Sequence, residues 1–168
     1  LGNPVGLITR RSMVQIHPPL PFLLTNLSGT KLRRIFEHTA DAGIEVRAET
    51  LSEAFNEISL AFTEIVTGGK LPSNKVSFEF HLESTDLDSL LVNYVSHLIF
   101  LFDTENFLVS SAEIDIKTGD CNILHGKLYG DLYDETKHGY GVEVKAVSYH
   151  MLEIIVGPPS RIIVILDL

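Results

Sequence analysis

The chain has 168 residues, an apolar fraction of 45% and a formal net charge of -9, which suits one compact domain burying about 68% of its extended surface. Cys121 is the only cysteine, so an intramolecular disulfide and a cysteine-based zinc site are excluded, and the pattern agrees with a reducing cytoplasm. An acidic surface repels a phosphate backbone, which argues against direct RNA or DNA binding and suits a metal, a basic protein surface or simple solubility.

Residues 1–30 contain Arg10 and Arg11 and no acid, so residues 31–168 hold 11 basic against 22 acidic side chains, a net charge of -11. Pro18, Pro19 and Pro21 oppose regular structure, as do Gly2, Pro4, Gly6, Ser28 and Gly29. Residues 1–30 therefore read as a flexible leader, either expression-derived or a native extension, and 31–168 as the folded domain. The apolar group Leu20–Leu24 is too short to span a bilayer.

Leu32–Phe36 is strand material leading into Glu37-His38-Thr39-Ala40-Asp41-Ala42-Gly43. That stretch sets a histidine and a carboxylate three residues apart in a turn that ends on glycine. Ile44–Ala48 alternates apolar and charged residues, as a strand with one wet face does. Thr50 and Glu53 form a capping box ahead of Leu51, Ala54, Phe55, Ile58, Phe62 and Ile65, one apolar stripe of a helix that Gly68-Gly69 ends.

Val76, Phe78, Phe80 and Leu82 share one strand face, with Glu79 and His81 on the other. Thr85, Asp86 and Asp88 suit the positive end of a second helix over 87–103. Its apolar residues Leu90, Leu91, Tyr94, Val95, Leu98, Ile99 and Phe102 are broad enough to predict near-complete burial, with His97 off the stripe. Phe107–Val109 and Ala112–Lys117 are strand material, and Thr118-Gly119-Asp120 predicts a reversal into Cys121–Tyr129, where Gly126 marks a bulge or a close backbone approach. Residues 130–141, with Asp131, Asp134, Glu135 and His138, read as a mobile polar loop whose spacing does not match a calcium loop. The fold class is α+β: a mostly antiparallel sheet packed with two main helices.

The last segments bring further chemistry. Val142–His150 contains Lys145, Ser148 and His150, and Arg161–Leu168 is apolar except for Arg161 and Asp167. An ionised Asp167 inside a strand buried on both sides is costly. Three outcomes relieve it: the strand end reaches solvent, Lys145 pairs with Asp167, or Asp167 shares a metal with Asp41. Two carboxylates alone favour Ca²⁺ or Mg²⁺, and direct use of His38 or His150 shifts the preference to Mn²⁺ or zinc. Either histidine is equally suited to holding a carboxylate by a hydrogen bond.

Together, Glu37–Gly43, Leu90–Tyr94, Leu101–Glu105, Val144–His150 and Ile163–Leu168 resemble the archease family, in order, over about residues 32–168. Ser148 stands where threonine is common in the family, and Ala42 where valine is common; neither changes the chemistry. The resemblance implies an α+β protein with a calcium-like cation site, acting as a transient partner of the RNA ligase of transfer-RNA splicing. It implies an activator, not an enzyme in its own right. Its role would be to promote guanylylation of the ligase histidine and to support multiple turnover with GTP and a divalent metal. Carried to this chain, Asp41 and Asp167 are the metal residues, Lys145 a neighbouring functional residue, and His38 and His150 their supports. Ca²⁺ is the first expectation, with Mg²⁺ or Mn²⁺ behind it. Two other classes remain open: a stand-alone metal-dependent hydrolase, and a noncatalytic chaperone or scaffold.

Overall fold

The computed structural model describes residues 24–27 and 31–168. Five strands, β1 (Leu24–Leu27), β2 (Lys31–His38), β3 (Asp41–Ala48), β7 (Ala146–Ile155) and β8 (Ser160–Asp167), form one sheet in the order β1-β2-β3-β8-β7. A second sheet has the order β4-β6-β5, from β4 (Val76–Ser84), β5 (Phe107–Lys117) and β6 (Asn122–Leu132). Every pairing is antiparallel, and with helices α1 (Leu51–Thr67) and α2 (Leu87–Glu105) this is the expected α+β class. β1 pairs with β2, so regular structure begins inside the stretch assigned to the leader, because a strand there satisfies the edge of β2. The rest of the leader lies outside the described residues.

The caps of α1 are those its sequence predicts. The Thr50 side chain accepts from Glu53 N at 3.2 Å, and Gly68 closes the helix in the left-handed region at φ 76°. The reciprocal bond of the capping box is displaced by one residue, since Glu49 N rather than Thr50 N donates to the Glu53 carboxylate.

Burial differs between the two helices from what the pattern of α2 suggests. α1 packs against both sheets and is buried nearly all round, including Glu57, Ser59, Thr63 and Glu64. Its polar face survives there because Arg33 of β2 lies against it. The Arg33 guanidinium donates to both oxygens of Glu64, at 3.0 and 2.8 Å, and to Glu57, and all three residues are 3% exposed. Thr67 and Ser59 donate to backbone carbonyls. Burying Phe55 and Ile58 on the same helix stabilises the fold by about 1.5–3 kcal/mol each.

α2, expected to be nearly buried, keeps a wet side, with Asn93, Ser96 and Phe100 exposed. Asp86 caps it by accepting from Ser89 N at 2.7 Å, and those Ser89 hydrogen bonds hold the Asp86 carboxyl below its usual range. His97 rests on the Phe80 ring, centroids 4.9 Å apart, and burial lowers its pKa from 6.5. The folded state therefore binds a proton less readily than the unfolded chain. This contribution to stability is complete above about pH 6.5 and is lost as the pH falls towards the folded value. His97→Phe should flatten the fall in melting temperature between neutral and mildly acid solution; an unchanged slope would remove His97 as its cause.

The predicted hairpin forms β5 and β6. A register shift between Val109 and Ser111 joins the two expected strand pieces into one, and Asn56 of α1 accepts the Ala112 N–H beside it at 2.8 Å. Gly126 is a close approach and not a bulge: it lies opposite Phe80, and a Cβ there would sit 2.3 Å from the Phe80 ring. Residues 130–141 are not the irregular loop their composition suggests. Gly130–Leu132 completes β6, and Asp134 caps a one-turn helix α3 (Glu135–His138). Hydrogen bonds from Thr136, then from Lys137, pull the Asp134 carboxyl down to about 2. His138 is buried with its Nδ1 accepting from Asp134 N, while Lys75 pairs with Asp131.

Candidate functional site

The centre of the five-stranded sheet puts the two ends of the folded domain side by side. β2 and β3 are joined by Thr39 and Ala40 alone, with Thr39 in the left-handed region at φ 57°. Gly43, expected to end this turn, lies inside β3 opposite Phe36, and a Cβ at Gly43 would sit 2.2 Å from the Phe36 ring. The tight connection sets His38 directly opposite Asp41. β8 runs antiparallel to β3 with Asp41 opposite Asp167, and β7 continues the row with Ala146 opposite Asp167. Residues directly opposite in an antiparallel sheet point to the same face. His38, Asp41 and Asp167 therefore share one side of one sheet end.

Of the three outcomes for Asp167, the first is met: the strand interior is buried, whereas Asp167 is exposed where the strand ends. Lys145 does not pair with its carboxylate. The Lys145 N–H donates to the Asp167 backbone carbonyl and Nζ donates to Leu168 O, both at 2.9 Å. The ammonium group is thus fixed on Leu168 O, one residue beyond Asp167. His150 comes from a four-residue irregularity in β7 between Ser148 and Glu153. The Ser148 hydroxyl accepts His150 N at 3.1 Å, and the His150 ring lies 5.8 Å from that of His38. His38 Nδ1 is shielded from solvent, has no hydrogen-bond partner among the described residues, and lies 3.9 Å from Asp41 Oδ2, too far for a hydrogen bond.

Asp41, Asp167 and His38 carry donors of the kinds a divalent cation takes. Two like charges directly opposite on neighbouring strands are destabilising, and a buried ring nitrogen without a partner is costly; a cation bound between them offsets both. Among the described residues no three His, Cys, Asp or Glu side chains are grouped so as to hold a metal ion, His38, Asp41 and Asp167 included. Mg²⁺ in particular is commonly held by one or two carboxylates, with waters and substrate phosphates completing its shell.

Three of the five residues singled out in the sequence thus lie in one row, and Lys145 and His150 flank it. Ser148, which orients the backbone of His150, carried no role in the sequence reading; its place two residues before His150 was the available signal. On the outer face of the same sheet, burial raises the Glu45 carboxyl, but hydrogen bonds and charge from Arg161 and Arg47 outweigh it and hold the group ionised.

An α+β domain with two antiparallel sheets and an acidic, histidine-flanked strand end is the class that these elements define. The sequence matches the archease protein family (MTH1598/TM1083) over residues 34–168. It is 36% identical to the protein archease of Pyrococcus furiosus over 127 residues, covering 75% of this chain and 89% of that one. Against the protein archease of Pyrobaculum islandicum it is 39% identical over 124 residues, covering 72% and 84%. The fold matches the solution structure of Methanobacterium thermoautotrophicum protein 1598 with a TM-score of 0.66 and 31% identity, over 81% of this chain and 98% of that one. It also matches, at a TM-score of 0.50 and 18% identity, a Thermotoga maritima protein described as an archease and "possible chaperone", over 79% and 94%. The chain belongs to the archease family.

Proposed function

We propose that this protein activates an RNA ligase of transfer-RNA splicing, promoting guanylylation of the ligase and its multiple turnover with GTP, through a divalent cation seated on Asp41 and Asp167. The observation that carries the reading is the facing pair of carboxylates at an exposed strand end, with His38 Nδ1 beside them unpartnered among the described residues. A bound cation supplies positive charge that draws nucleotide phosphates into a reactive geometry and offsets the charge that develops on them. Asp41 and Asp167 would hold it, and a partner's phosphates would complete its shell. Ca²⁺ suits the oxygen pair, and the small number of protein donors suits Mg²⁺ or Mn²⁺ as well. Lys145, fixed on Leu168 O, keeps a second positive charge at the edge where phosphates approach. His150, tied through its N–H to Ser148, borders the same opening.

The charge balance supports a basic partner. A net charge of -9 steers the chain towards a positively charged RNA-binding protein and away from the RNA itself. Among the described residues no helix is long and apolar enough to cross a membrane, and the reading places the protein with its ligase in the cytoplasm. A second reading, a chaperone for other chains, is favoured by Tyr149, Met151, Ile155 and Val156, which lie exposed along the β7 edge.

Purified ligase, GTP and this protein, assayed for guanylylated ligase across Ca²⁺, Mg²⁺ and Mn²⁺, test the proposal. Stimulation should require the divalent ion and fall at least about tenfold in Asp41→Ala or Asp167→Ala. Full stimulation by both folded variants would leave only the chaperone reading. Metal-dependent hydrolysis with the ligase omitted would instead make the protein an enzyme in its own right.

A further inference from the structure

The three-stranded sheet carries a second concentration of ligating groups, on its open face and away from the acidic strand end. His81 of β4 lies directly opposite His125 of β6, and Asp115 of β5 lies opposite His125 on the other side. All three are exposed and occupy one row of one sheet face. The two ring Nδ1 atoms are 3.1 Å apart, with ring centroids at 4.4 Å. His81 Nε2 lies 2.8 Å from Glu83 Oε1, two residues along the same strand face.

We infer that His81 and His125 form a binding site for a transition-metal cation of the Zn²⁺, Ni²⁺ or Cu²⁺ class. The argument is geometric. With metal–nitrogen bonds of about 2.0–2.1 Å, a separation of 3.1 Å subtends about 98° at a shared ion. That lies between the square-planar and tetrahedral angles these ions adopt, and imidazole is a ligand that suits them. In the tautomer in which His81 Nε2–H donates to Glu83, the lone pair of His81 is on Nδ1, the atom facing His125, and a bound metal would replace the proton that the two Nδ1 atoms share. A carboxylate behind a histidine in this way orients the ring and raises its basicity as a ligand.

The position in the sheet keeps the seat in place. His81 and His125 flank the Gly126–Phe80 contact, where the Phe80 ring covers a glycine that admits no side chain. Backbone pairing on both sides of β6 then holds the strand carrying His125. Among the described residues no third ligating side chain closes on the pair. The remaining coordination positions face solvent, with Asp115 as the next carboxylate in the row. The seat is therefore open, and suited to exchangeable binding of a soft or borderline ion. It differs in chemistry from the oxygen pair at Asp41 and Asp167.

Zn²⁺ alone is the probe, and the full chain carrying Asp41→Asn and Asp167→Asn is the host, so that the acidic strand end has lost both carboxylates. Calorimetry should find one equivalent of Zn²⁺, and histidine side-chain NMR should show two rings changing together. His81→Ala or His125→Ala should weaken binding at least tenfold, and Glu83→Gln about tenfold by releasing the His81 ring. Both histidines are exposed, so thermal melting should stay close to that of the host. No saturable binding by the host, or binding that persists in the His81→Ala/His125→Ala double variant, would overturn the assignment.

Discussion

Arg33→Ala is expected to destabilise the fold by about 3–5 kcal/mol, because it strands two buried carboxylates. Glu57 and Glu64 approach one guanidinium from the same helix, and both are almost wholly shielded from water. Removing the arginine takes away every donor to those carboxylates and leaves like charges facing each other where the dielectric screens them poorly. The midpoint of denaturant unfolding should fall with little change in slope. The triple replacement Arg33→Met, Glu57→Leu, Glu64→Leu should recover most of the loss, since apolar groups of similar volume often replace a buried ion group at no cost. A loss below about 1 kcal/mol in Arg33→Ala would show that water or a rearrangement reaches the carboxylates.

The second large effect concerns Asp41 and Asp167, and it separates function from stability. If both carboxylates hold one cation, removing either removes the site. Stimulated guanylylation by Asp41→Asn, Asp167→Asn and the double variant should then fall by similar amounts, each about tenfold or more, and not by the product of the two single effects. In metal-free solution stability should move the other way. Relieving a directly opposed like-charge pair is worth about 0.2–1 kcal/mol, so each Asn variant should melt at or slightly above the parent. Adding Ca²⁺ or Mg²⁺ should raise the melting temperature of the parent only, because a cation that binds the native state alone stabilises it by mass action. Two independent, multiplicative losses, or equal thermal stabilisation of all four proteins, would mean that the carboxylates do not act on one ion.

Much of this protein was legible from local pattern. Thr50 and Gly68 bounded α1, Asp86 opened α2, and Thr118–Asp120 turned β5 into β6, because caps and turns are satisfied within a few residues of where they are written. A shared cation with Asp41 was one of three outcomes open for Asp167, each a relief for a buried charge. The structure removes that reason, since Asp167 reaches solvent, and register sets Asp41 and Asp167 opposite each other.

Periodicity misled where it could not name the neighbour. The broad apolar face of α2 reads as a nearly buried one, yet α2 keeps a wet side and it is α1 that is enclosed. The cause is Arg33, whose single side chain makes an acidic helix face compatible with the interior. Residues 130–141 misled likewise, since a polar composition gave no sign that Lys75 would meet Asp131 or that His138 would turn inward.

The sequence by itself determined the types of the longer elements, the caps of α1, the start of α2, the hairpin and the list of chemistry-bearing residues, most of which depend on interactions within a few residues. Only the tertiary structure decided the strand orders β1-β2-β3-β8-β7 and β4-β6-β5 and the registers within them. Those registers set Asp41 beside Asp167 and His81 beside His125. Register is a long-range choice made by the packing of whole faces, and a slip of one residue would turn every one of these side chains to the opposite side of its sheet.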